Sequence, residues 1–469
     1  VSVSGRSRRG KEGDGDLRGA ALVVGGFVRD YLAGLAAKAP DIDLSSPMDA
    51  DTFLDAAKSC GFIAAAVYRN TGTVKLKDAE GTDYEYTCFR SDRYVRGTHV
   101  PIETFFTKDM LLDAKRRDFT VNAVYYDVAR GEWRDPLHGM EDIRAKRLST
   151  VDRAEKVFGE DGLRLMRLAR QAGQLGFSPS PECLAGAKAN ASLIKDISPE
   201  RIWTEFTAIL RADEKYGNPR GHYEGLKVLE ETGVLDYILP ELTLGKNMAQ
   251  REDFHKYDVL EHTLRAVLYA DGRVRLAALL HDVGKPFCLL RDGNVHEHPA
   301  EGARIAEEIL SRLKAPKHTA AKTAELVFYH MYDFDGRVRP NKLRRFFVAH
   351  AELLEDLMLL KQADYSGCMD DLSLCPTDRK WDAELKKMRE EGAPLTLRQL
   401  AVSGREVAAV EGMRAKYISL VLKELLFHAA LLPRDNTKER LLALAPSFLK
   451  AVLTAESHQE EKRGQDVTV

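Results

Sequence analysis

Two aspartates separated by a single residue, Asp41 and Asp43, have the clearest potential for chemistry in this 469-residue chain. Side chains at i and i+2 of a β-strand project to one face, so both carboxylates could bind the same divalent ion or pair of ions. Mg²⁺ prefers oxygen ligands and retains water, so one or two carboxylates suffice beside substrate phosphates. Such ions could polarise an attacking hydroxyl and a leaving pyrophosphate. The same pattern is common in solvated turns, so both interpretations stay open for these two residues alone.

A glycine pair, Gly25 and Gly26, stands between a short apolar run and a stretch of helical character. Glycine allows close approach of the backbone, and a helix N-terminus presents unpaired N–H groups that suit phosphate. Arg29 could add a charge-assisted hydrogen bond. Many strand-to-helix turns carry glycine, so an ordinary turn is the alternative. Glu85, in a later strand-like segment, is either a third carboxylate of the same site or a surface acid.

The composition indicates a multidomain globular protein without a global charge signature. The length predicts about two to four domains. The formal net charge of -2 provides no overall basic surface, so any nucleic-acid surface must be a local patch. The 6 cysteines are scattered without a CxxC pair, which favours a reducing compartment and disfavours a zinc-thiolate site. The polar start lacks a secretion signal and no apolar stretch is long enough to span a membrane, so we expect a cytoplasmic protein.

The order of patterns predicts an α+β protein. Residues 20–148 mix strand-like segments, such as residues 72–77 and 83–90, with helical ones. Later apolar residues recur at helical spacing. We therefore divide the helical part into residues 149–250, a histidine-rich block at 251–375 and a final block at 376–455. The polar ends, residues 1–19 and 456–469, are expected to be disordered.

Two motifs in the mixed region resemble those of the class II tRNA nucleotidyltransferases and bacterial poly(A) polymerases. Residues 25–30 read GGFVRD and precede the Asp41–Asp43 pair, and residues 116–123 read RRDFTVNA, against RRDFTxNA in the family. The resemblance covers residues 20 to about 450 and implies a polymerase-beta-like α/β head followed by a helical neck, body, HD domain and tail. It implies that Asp41 and Asp43 are catalytic Mg²⁺ ligands, with Glu85 as a further candidate. It also implies nucleotide contacts from Gly26, Arg29, Arg117 and Asp118.

The chain departs from the family pattern at two places. Between Gly34 and Asp41 it carries about two extra residues and lacks a basic residue expected after the glycine; loop-closure cost grows slowly with length, so this change should be tolerated. The lead-in also lacks the amphipathic helix typical of the family, from which we expect a shortened start.

Residues 160–164 read EDGLR and resemble the family's EDxxR motif, which implies a nucleotide-selecting site. Asp161, Arg164 and Arg167 would share one face of a helix, and Arg170 continues the row. Cytosine and adenine each present an amino donor beside a ring-nitrogen acceptor, whereas uracil and guanine reverse this order. A fixed carboxylate beside a fixed guanidinium would therefore accept C and A and disfavour U and G. A surface ladder of ion pairs is the alternative.

The ordered histidines and aspartates of residues 251–375 resemble the HD phosphohydrolase superfamily. The resemblance implies that His262, His281, Asp282 and Asp364 bind a divalent metal, with Ni, Mn, Co and Mg as candidates. His298 and His330 would serve a second ion or the substrate phosphate. The alternatives are an active phosphohydrolase and a helical scaffold without hydrolase activity.

Together the motifs predict a metal-dependent nucleotidyltransferase that adds CMP and AMP from CTP and ATP to the 3′ end of tRNA without a nucleic-acid template. A poly(A) polymerase, a CC-only enzyme and an A-only enzyme share these motifs and are the nearest alternatives. More distant alternatives are a regulator that modifies a protein and a catalytically silent RNA-binding protein. The C-terminal helical block is expected to contact the tRNA, and a second copy of the chain is a candidate partner.

Overall fold

The computed structural model describes residues 21–35, 41–99 and 101–465, without the side chains of residues 457–465. The chain divides into two compact units. The first comprises residues 1–249, 258–268 and 305–321, and the second comprises residues 250–257, 269–304 and 322–469. The predicted disorder of residues 1–19 falls outside the described residues.

A seven-stranded mixed sheet forms the centre of the N-terminal head. The strands of the chain are β1 (Leu22–Val24), β2 (Ile42–Ser46), β3 (Ile63–Tyr68), β4 (Thr73–Lys77), β5 (Asp83–Cys88), β6 (Arg90–Arg93), β7 (Glu103–Phe106), β8 (Tyr125–Asp127), β9 (Glu132–Arg134), β10 (Arg147–Leu148) and β11 (Ser178–Pro179). The order in the head sheet is β3-β4-β5-β2-β1-β8-β9. Strands β2 and β5 are parallel, while β1 pairs antiparallel with both β2 and β8. The predicted strand-like segments correspond to β4 and β5.

The head sheet buries apolar side chains beneath a short helix. The helices of the head are α1 (Gly26–Leu32), α2 (Ala50–Ser59), α3 (Met110–Lys115) and α4 (Gly139–Arg144). Asp49 caps α2 by accepting hydrogen bonds from the backbone of Asp51 and Thr52, which satisfies two unpaired N–H groups. On the buried side, Phe53 of α2 stacks on Tyr86 of β5 with ring centroids 3.6 Å apart. This contact fixes the strand that lies beside β2.

Helices make up the rest of the first unit and nearly all of the second. Glycines allow α6 and α10 to approach closely, since a Cβ at Gly173 would lie 2.3 Å from the carbonyl oxygen of Gly221. The helices after the head are α5 (Ala154–Glu160), α6 (Leu163–Leu175), α7 (Pro181–Asn190), α8 (Pro199–Leu210), α9 (Ala212–Tyr216), α10 (Gly221–Glu231), α11 (Leu235–Ile238), α12 (Pro240–Thr243), α13 (Val259–Tyr269), α14 (Arg275–Leu280), α15 (Lys285–Asp292), α16 (His298–Arg312), α17 (Lys317–Tyr329), α18 (Pro340–Ala349), α19 (Leu354–Met369), α20 (Pro376–Glu390), α21 (Gly404–Ala408), α22 (Ala415–Leu431) and α23 (Lys438–Gln465).

The architecture confirms the predicted α+β class and corrects the end of the chain. Helix α23 extends to Gln465, so the backbone of residues 456–465 is helical where the composition predicted disorder. The helix carries its apolar contacts further upstream, at Leu441, Ala445 and Leu449, and the polar residues continue it. Among the described residues, no helix is both long enough and apolar enough to cross a bilayer.

Candidate active site

A cavity of about 660 Å³ in the first unit brings together most of the residues singled out in its sequence. This volume falls in the range of small-molecule sites. Its wall is dominated by charged side chains of both signs, which suits a ligand that carries phosphates together with cations. The charged residues that line it are Asp30, Asp41, Asp43, Asp118, Asp161, Arg29, Arg116, Arg117, Arg164, Arg167, Arg170 and Lys215.

The position of Asp43 depends on the glycine at the end of β1. In the β1–β2 ladder Asp43 pairs with Val24, so the next residue, Gly25, passes close to its carboxylate. Gly25 has φ +78°, and a Cβ there would lie 2.3 Å from Asp43 Oδ2. Only glycine adopts this conformation and leaves room for the carboxylate. Gly26 lines the same cavity and begins α1.

The acids around Asp43 form a set that suits a cation. Burial raises the pKa of Asp43 to about 6; Asp41 and Glu85 raise it further, while Arg117 and Arg167 oppose the shift. Asp41 is exposed and stands immediately before β2, not within it as predicted. Glu85 is in register with Asp43 on the parallel neighbour β5 and lies 3.2 Å from Lys75 Nζ. A half-buried carboxylate beside two acids is a donor set that a divalent ion would stabilise.

Asp118 anchors Arg167 at the cavity wall. The Oδ2 atom of Asp118 accepts from Nε and Nη2 of Arg167 at 2.8 and 2.6 Å, while Oδ1 accepts from the Asn122 amide at 2.8 Å. Burial would raise the pKa of Asp118, but the ion pair with Arg167 and these hydrogen bonds outweigh it and hold the pKa well below its usual range. The contacts make Asp118 a buried support, whereas the side chain of Arg167 keeps 37% exposure.

Arg29 is held by the protein on every donor. It is buried, and its five N–H groups meet acceptors 2.6–3.3 Å away. A phosphate would have to replace one of these partners in order to bind Arg29. The partners are Asp30, Asn122, Gln171 and Tyr216.

Three further arginines reach the cavity from neighbouring elements. Arg116 and Arg117 form ion pairs of 2.7 and 3.3 Å with the two oxygens of the buried Asp113, so one acid positions both. Arg170 lies 2.6 Å from Glu205 on α8, which ties this end of the row to the following helix. These ion pairs position guanidinium groups around the cavity, and each pair engages only some of the five N–H donors of its arginine.

The expected nucleotide-selecting residues meet at a helix junction, which corrects part of the prediction. Asp161 is the residue that ends α5 in extended conformation, and α6 begins at Leu163. Asp161 therefore does not lie on one continuous helix with Arg164 and Arg167, although all three line the cavity. The local reason is that the backbone of Asp161 is extended, while its Oδ1 accepts from the backbone N–H of Leu163, the first residue of α6, at 2.9 Å.

Asp161 and Arg164 are both buried, and hydrogen bonds to the protein hold their side chains in place. Nη1 of Arg164 donates to the carbonyl of Val157 at 2.9 Å and Nη2 donates to that of Arg116 at 2.8 Å. The Nε atom of Arg164 lies 4.0 Å from Asp161 Oδ2, and burial raises the pKa of Asp161. Two rigid polar groups thus stand side by side, as selection by hydrogen bonding requires.

Several residues of the cavity were not foreseen in the sequence. His99 donates from Nδ1 to Asp161 Oδ2 at 2.9 Å. The guanidinium of Arg164 lies over the ring of Tyr94, with Cζ 5.7 Å from the ring centroid. Lys215 arrives from α9, far along the chain. Neither His99 nor Lys215 belongs to a motif, so only the fold reveals them.

The second unit contains a cluster of histidines and aspartates. The Nε2 atoms of His298 and His330 lie 3.2 Å apart, and they are 3.3 and 3.9 Å from Asp282 Oδ1. His281 Nε2 is 3.3 Å from Asp282 and 3.5 Å from Asp364. All three histidines therefore lie within 3.9 Å of the carboxylate of Asp282.

The tautomers of this cluster suit a metal ion. His281, His298 and His330 each donate from Nδ1 to a backbone carbonyl at 2.6–2.7 Å, so the Nε2 atoms face inward. Burial and the neighbouring histidines lower the pKa of His330 to about 3. Burial would also lower the pKa of His281, but Asp282 and Asp364 outweigh it and raise the pKa to about 9. Converging Nε2 atoms beside a carboxylate fit a divalent cation, which would displace the proton that the raised pKa keeps on His281. His262 is buried on α13 in the first unit.

Comparisons with known families match three parts of the chain. Residues 21–149 match the poly A polymerase head domain. Residues 176–244 match the "probable RNA and SrmB-binding site of polymerase A", and residues 255–366 match the HD domain.

Individual relatives agree with these matches. An A-adding tRNA nucleotidyltransferase of Deinococcus radiodurans is 33% identical over 363 residues, which cover 74% of this chain and 76% of the relative. A multifunctional CCA protein of Neisseria meningitidis is 34% identical over 65% of this chain and 70% of the relative. A crystal structure of the Bacillus stearothermophilus CCA-adding enzyme with CTP matches with TM-score 0.62 and 25% identity, over 93% of this chain and 94% of that one. The chain is a nucleotidyltransferase that belongs to the family of tRNA nucleotidyltransferases and poly(A) polymerases and carries an HD domain.

Proposed function

We propose that this enzyme adds CMP and AMP from CTP and ATP to the 3′ end of tRNA without a nucleic-acid template. The observation that supports this most directly is that Asp41 and Asp43 line the same cavity as Asp161 and Arg164. A nucleoside triphosphate can place its phosphates near the first pair and its base near the second. No template strand is needed when protein groups select the base.

The acids and arginines divide the handling of phosphate between them. Asp41 and Asp43 would hold Mg²⁺, with Glu85 adjacent, and the ion supplies charge neutralisation at the triphosphate and polarisation of the RNA 3′ hydroxyl. Arg117 and Arg167 face the same space and would bind phosphate oxygens or sugar. Asp118 positions Arg167, and Gly26 and Arg29 shape the wall against which the nucleotide rests.

Base selection would fall to Asp161 and Arg164. A carboxylate accepts from the amino group of C or A, and a guanidinium donates to the adjacent ring nitrogen. The contacts of Arg164 with Val157 and Arg116 fix the guanidinium, so it cannot adapt to the reversed pattern of U or G. A mismatch would leave buried polar groups unpaired.

The test uses three tRNA transcripts that lack CCA, CA or only the terminal A. Each is incubated with labelled CTP, labelled ATP or both. Our proposal predicts that all three are completed to CCA and that extension then stops. Addition restricted to the transcript lacking only A would support the A-only alternative, which the Deinococcus relative favours. Continued addition of A would identify a poly(A) polymerase instead.

For the HD domain we infer a divalent-metal site at His281, Asp282 and Asp364, joined by His298 and His330. Ni, Mn, Co and Mg are the candidate ions, and a bound ion would supply activated water for phosphoester hydrolysis. Titration of metal-free protein with each ion, followed by assay on phosphomonoesters and cyclic phosphodiesters, tests this. Absence of binding by any of the four ions would contradict it.

Because the proposed substrate is tRNA, we propose that the enzyme acts in the cytoplasm. We retain a homodimer as the candidate assembly, and sedimentation of the purified chain with and without tRNA decides it.

A further inference from the structure

Three aromatic rings pack in a row that ends at the cavity. Tyr31 lines the cavity and keeps 54% exposure. Its ring centroid lies 6.0 Å from that of Trp133, with an angle of 27° between the planes. Trp133 in turn contacts Tyr126 at 4.4 Å. Tyr31 is therefore supported on one side and open to solvent over much of the rest.

The stack is tied to the elements that position the acids. Tyr31 lies on α1, the helix that begins at the glycine pair beside Asp43. Trp133 on β9 is in register with Tyr126 on β8, and Tyr126 pairs with Val23 on β1. One sheet therefore sets the positions of Asp43 and of the rings behind Tyr31. Phe27 and Tyr94 also line the cavity but are partly buried, so Tyr31 is the exposed aromatic ring in a wall that is mainly charged.

We propose that Tyr31, supported by Trp133, stacks on the base of the 3′-terminal nucleotide of the RNA and so holds its 3′ hydroxyl near Asp41 and Asp43. This inference rests on the proposed function, in which two bases approach the cavity. The base of the incoming nucleotide goes to Asp161 and Arg164, at the α5–α6 junction. The exposed ring of Tyr31 is then available to the second base.

Stacking suits this second base for a chemical reason. The terminal base of the RNA changes with every nucleotide added, so its binding site must accept different bases. A hydrogen-bonding site would discriminate among them, whereas every base presents a π-face to an aromatic ring. The two sites thus differ in kind: Asp161 and Arg164 select, and Tyr31 accepts.

The test is a double-mutant cycle in which one partner is the RNA. Dissociation constants are measured without nucleotide for a tRNA that ends in C and for the same tRNA with an abasic 3′-terminal nucleotide. Each RNA is combined with the wild type, Tyr31→Ala and Tyr31→Phe. Tyr68→Ala is the matched control, because Tyr68 has 52% exposure and lies on β3 outside the cavity lining.

We expect Tyr31→Ala to weaken binding of the normal tRNA about 5- to 150-fold, the range for loss of one base–aromatic stack. The abasic RNA should bind the wild type equally weakly, and Tyr31→Ala should not weaken it further. Tyr31→Phe and Tyr68→Ala should match the wild type on both RNAs. CTP binding by Tyr31→Ala should be unchanged, which also shows that the variant is folded.

Equal weakening of both RNAs by Tyr31→Ala, or no weakening of either, would overturn the proposal. Because the cycle measures binding without turnover, it is separate from the proposed function. A wild-type enzyme that binds tRNA but extends none would contradict the proposed function. A wild-type enzyme that extends tRNA, but whose Tyr31 shows no coupling to the 3′-terminal base, would contradict only the role of Tyr31.

Discussion

The arginines of the cavity differ in how far the protein itself uses their donors. Arg29 is buried with all five N–H groups engaged, whereas Arg167 pairs with one aspartate and keeps 37% side-chain exposure. Sequence motifs identify both as arginines of interest but cannot distinguish them, because the partners of Arg29 come from α1, α6, α9 and the segment after α3. We therefore expect Arg167 to contact substrate and Arg29 to hold the wall.

Replacement of Asp118 should lower the stability of the fold as well as the activity of the enzyme. Asp118→Asn removes the charge that the buried face of Arg167 requires, at a cost of about 2–3 kcal/mol, which we set below the range for fully buried pairs because Arg167 is partly exposed. The native pKa is depressed, so the contribution is complete above about pH 4 and is lost as the pH falls further. Thermal unfolding of both proteins at pH 7 and pH 3 measures it. A difference that grows on acidification would contradict this assignment.

Replacement of Asp161 should relax the choice of base more than it slows transfer. Asp161→Ala removes the acceptor for the amino group of C or A, and one such hydrogen-bonded pair discriminates by about 1–3 kcal/mol. We expect the preference for CTP over UTP, measured as a ratio of kcat/KM, to fall about 5- to 150-fold. Glu155→Ala, an exposed acid on α5, is the control. An unchanged ratio would remove Asp161 from selection.

At the scale of elements, short junctions position the chemistry. The motif residues and the strands β4 and β5 could be predicted because their types and spacing are local properties of the chain. The break between α5 and α6 could not be predicted, since the i, i+3 spacing of Asp161 and Arg164 suits a continuous helix equally well. His99 and Lys215 could not be predicted either, because tertiary contacts alone bring them to the cavity.

Two glycines with positive φ, one before α1 and one after it, can be compared by substitution. Gly25→Ala would place a Cβ 2.3 Å from Asp43 Oδ2 in addition to forcing a positive φ, so the carboxylate must move. A displacement of about 1 Å can reduce turnover about 100-fold. Gly34 also has positive φ, but among the described residues nothing lies within 4 Å of a Cβ there. Gly34→Ala should therefore share the conformational cost of about 1–2 kcal/mol and keep its activity. Equal activities of the two variants would contradict the role of Gly25.

At the scale of the whole molecule, two clusters suited to divalent cations lie in different parts of the chain. Asp43 lies on β2 of the head and Asp41 immediately precedes that strand, whereas Asp282, His298 and His330 lie in the second unit. The donor types also differ, with carboxylates in the first cluster and mainly imidazoles in the second, which favours different metals. We expect two chemistries that can be removed independently.

Replacement of His330 tests this independence. His330→Ala removes a lone pair that converges on Asp282, so affinity for Mn²⁺ at the HD cluster should fall at least about 10-fold. Calorimetric titration of metal-free protein measures this, with the exposed His318→Ala as control. Extension of tRNA by the same preparation should stay at the wild-type rate. Loss of tRNA extension together with Mn²⁺ affinity would show that the two clusters are coupled.

The most direct test of our account is the rate at which Asp43→Asn extends a tRNA that lacks its terminal A. Because burial raises the pKa of Asp43 to about 6, above its ordinary value, its charge at pH 7 disfavours the folded state, and Asn should not lower the unfolding temperature in the absence of divalent ions. The account predicts that extension falls at least about 100-fold, since the cation loses a ligand, while Asp55→Asn on the exposed face of α2 stays active. A folded Asp43→Asn enzyme that extends tRNA at the wild-type rate would contradict it.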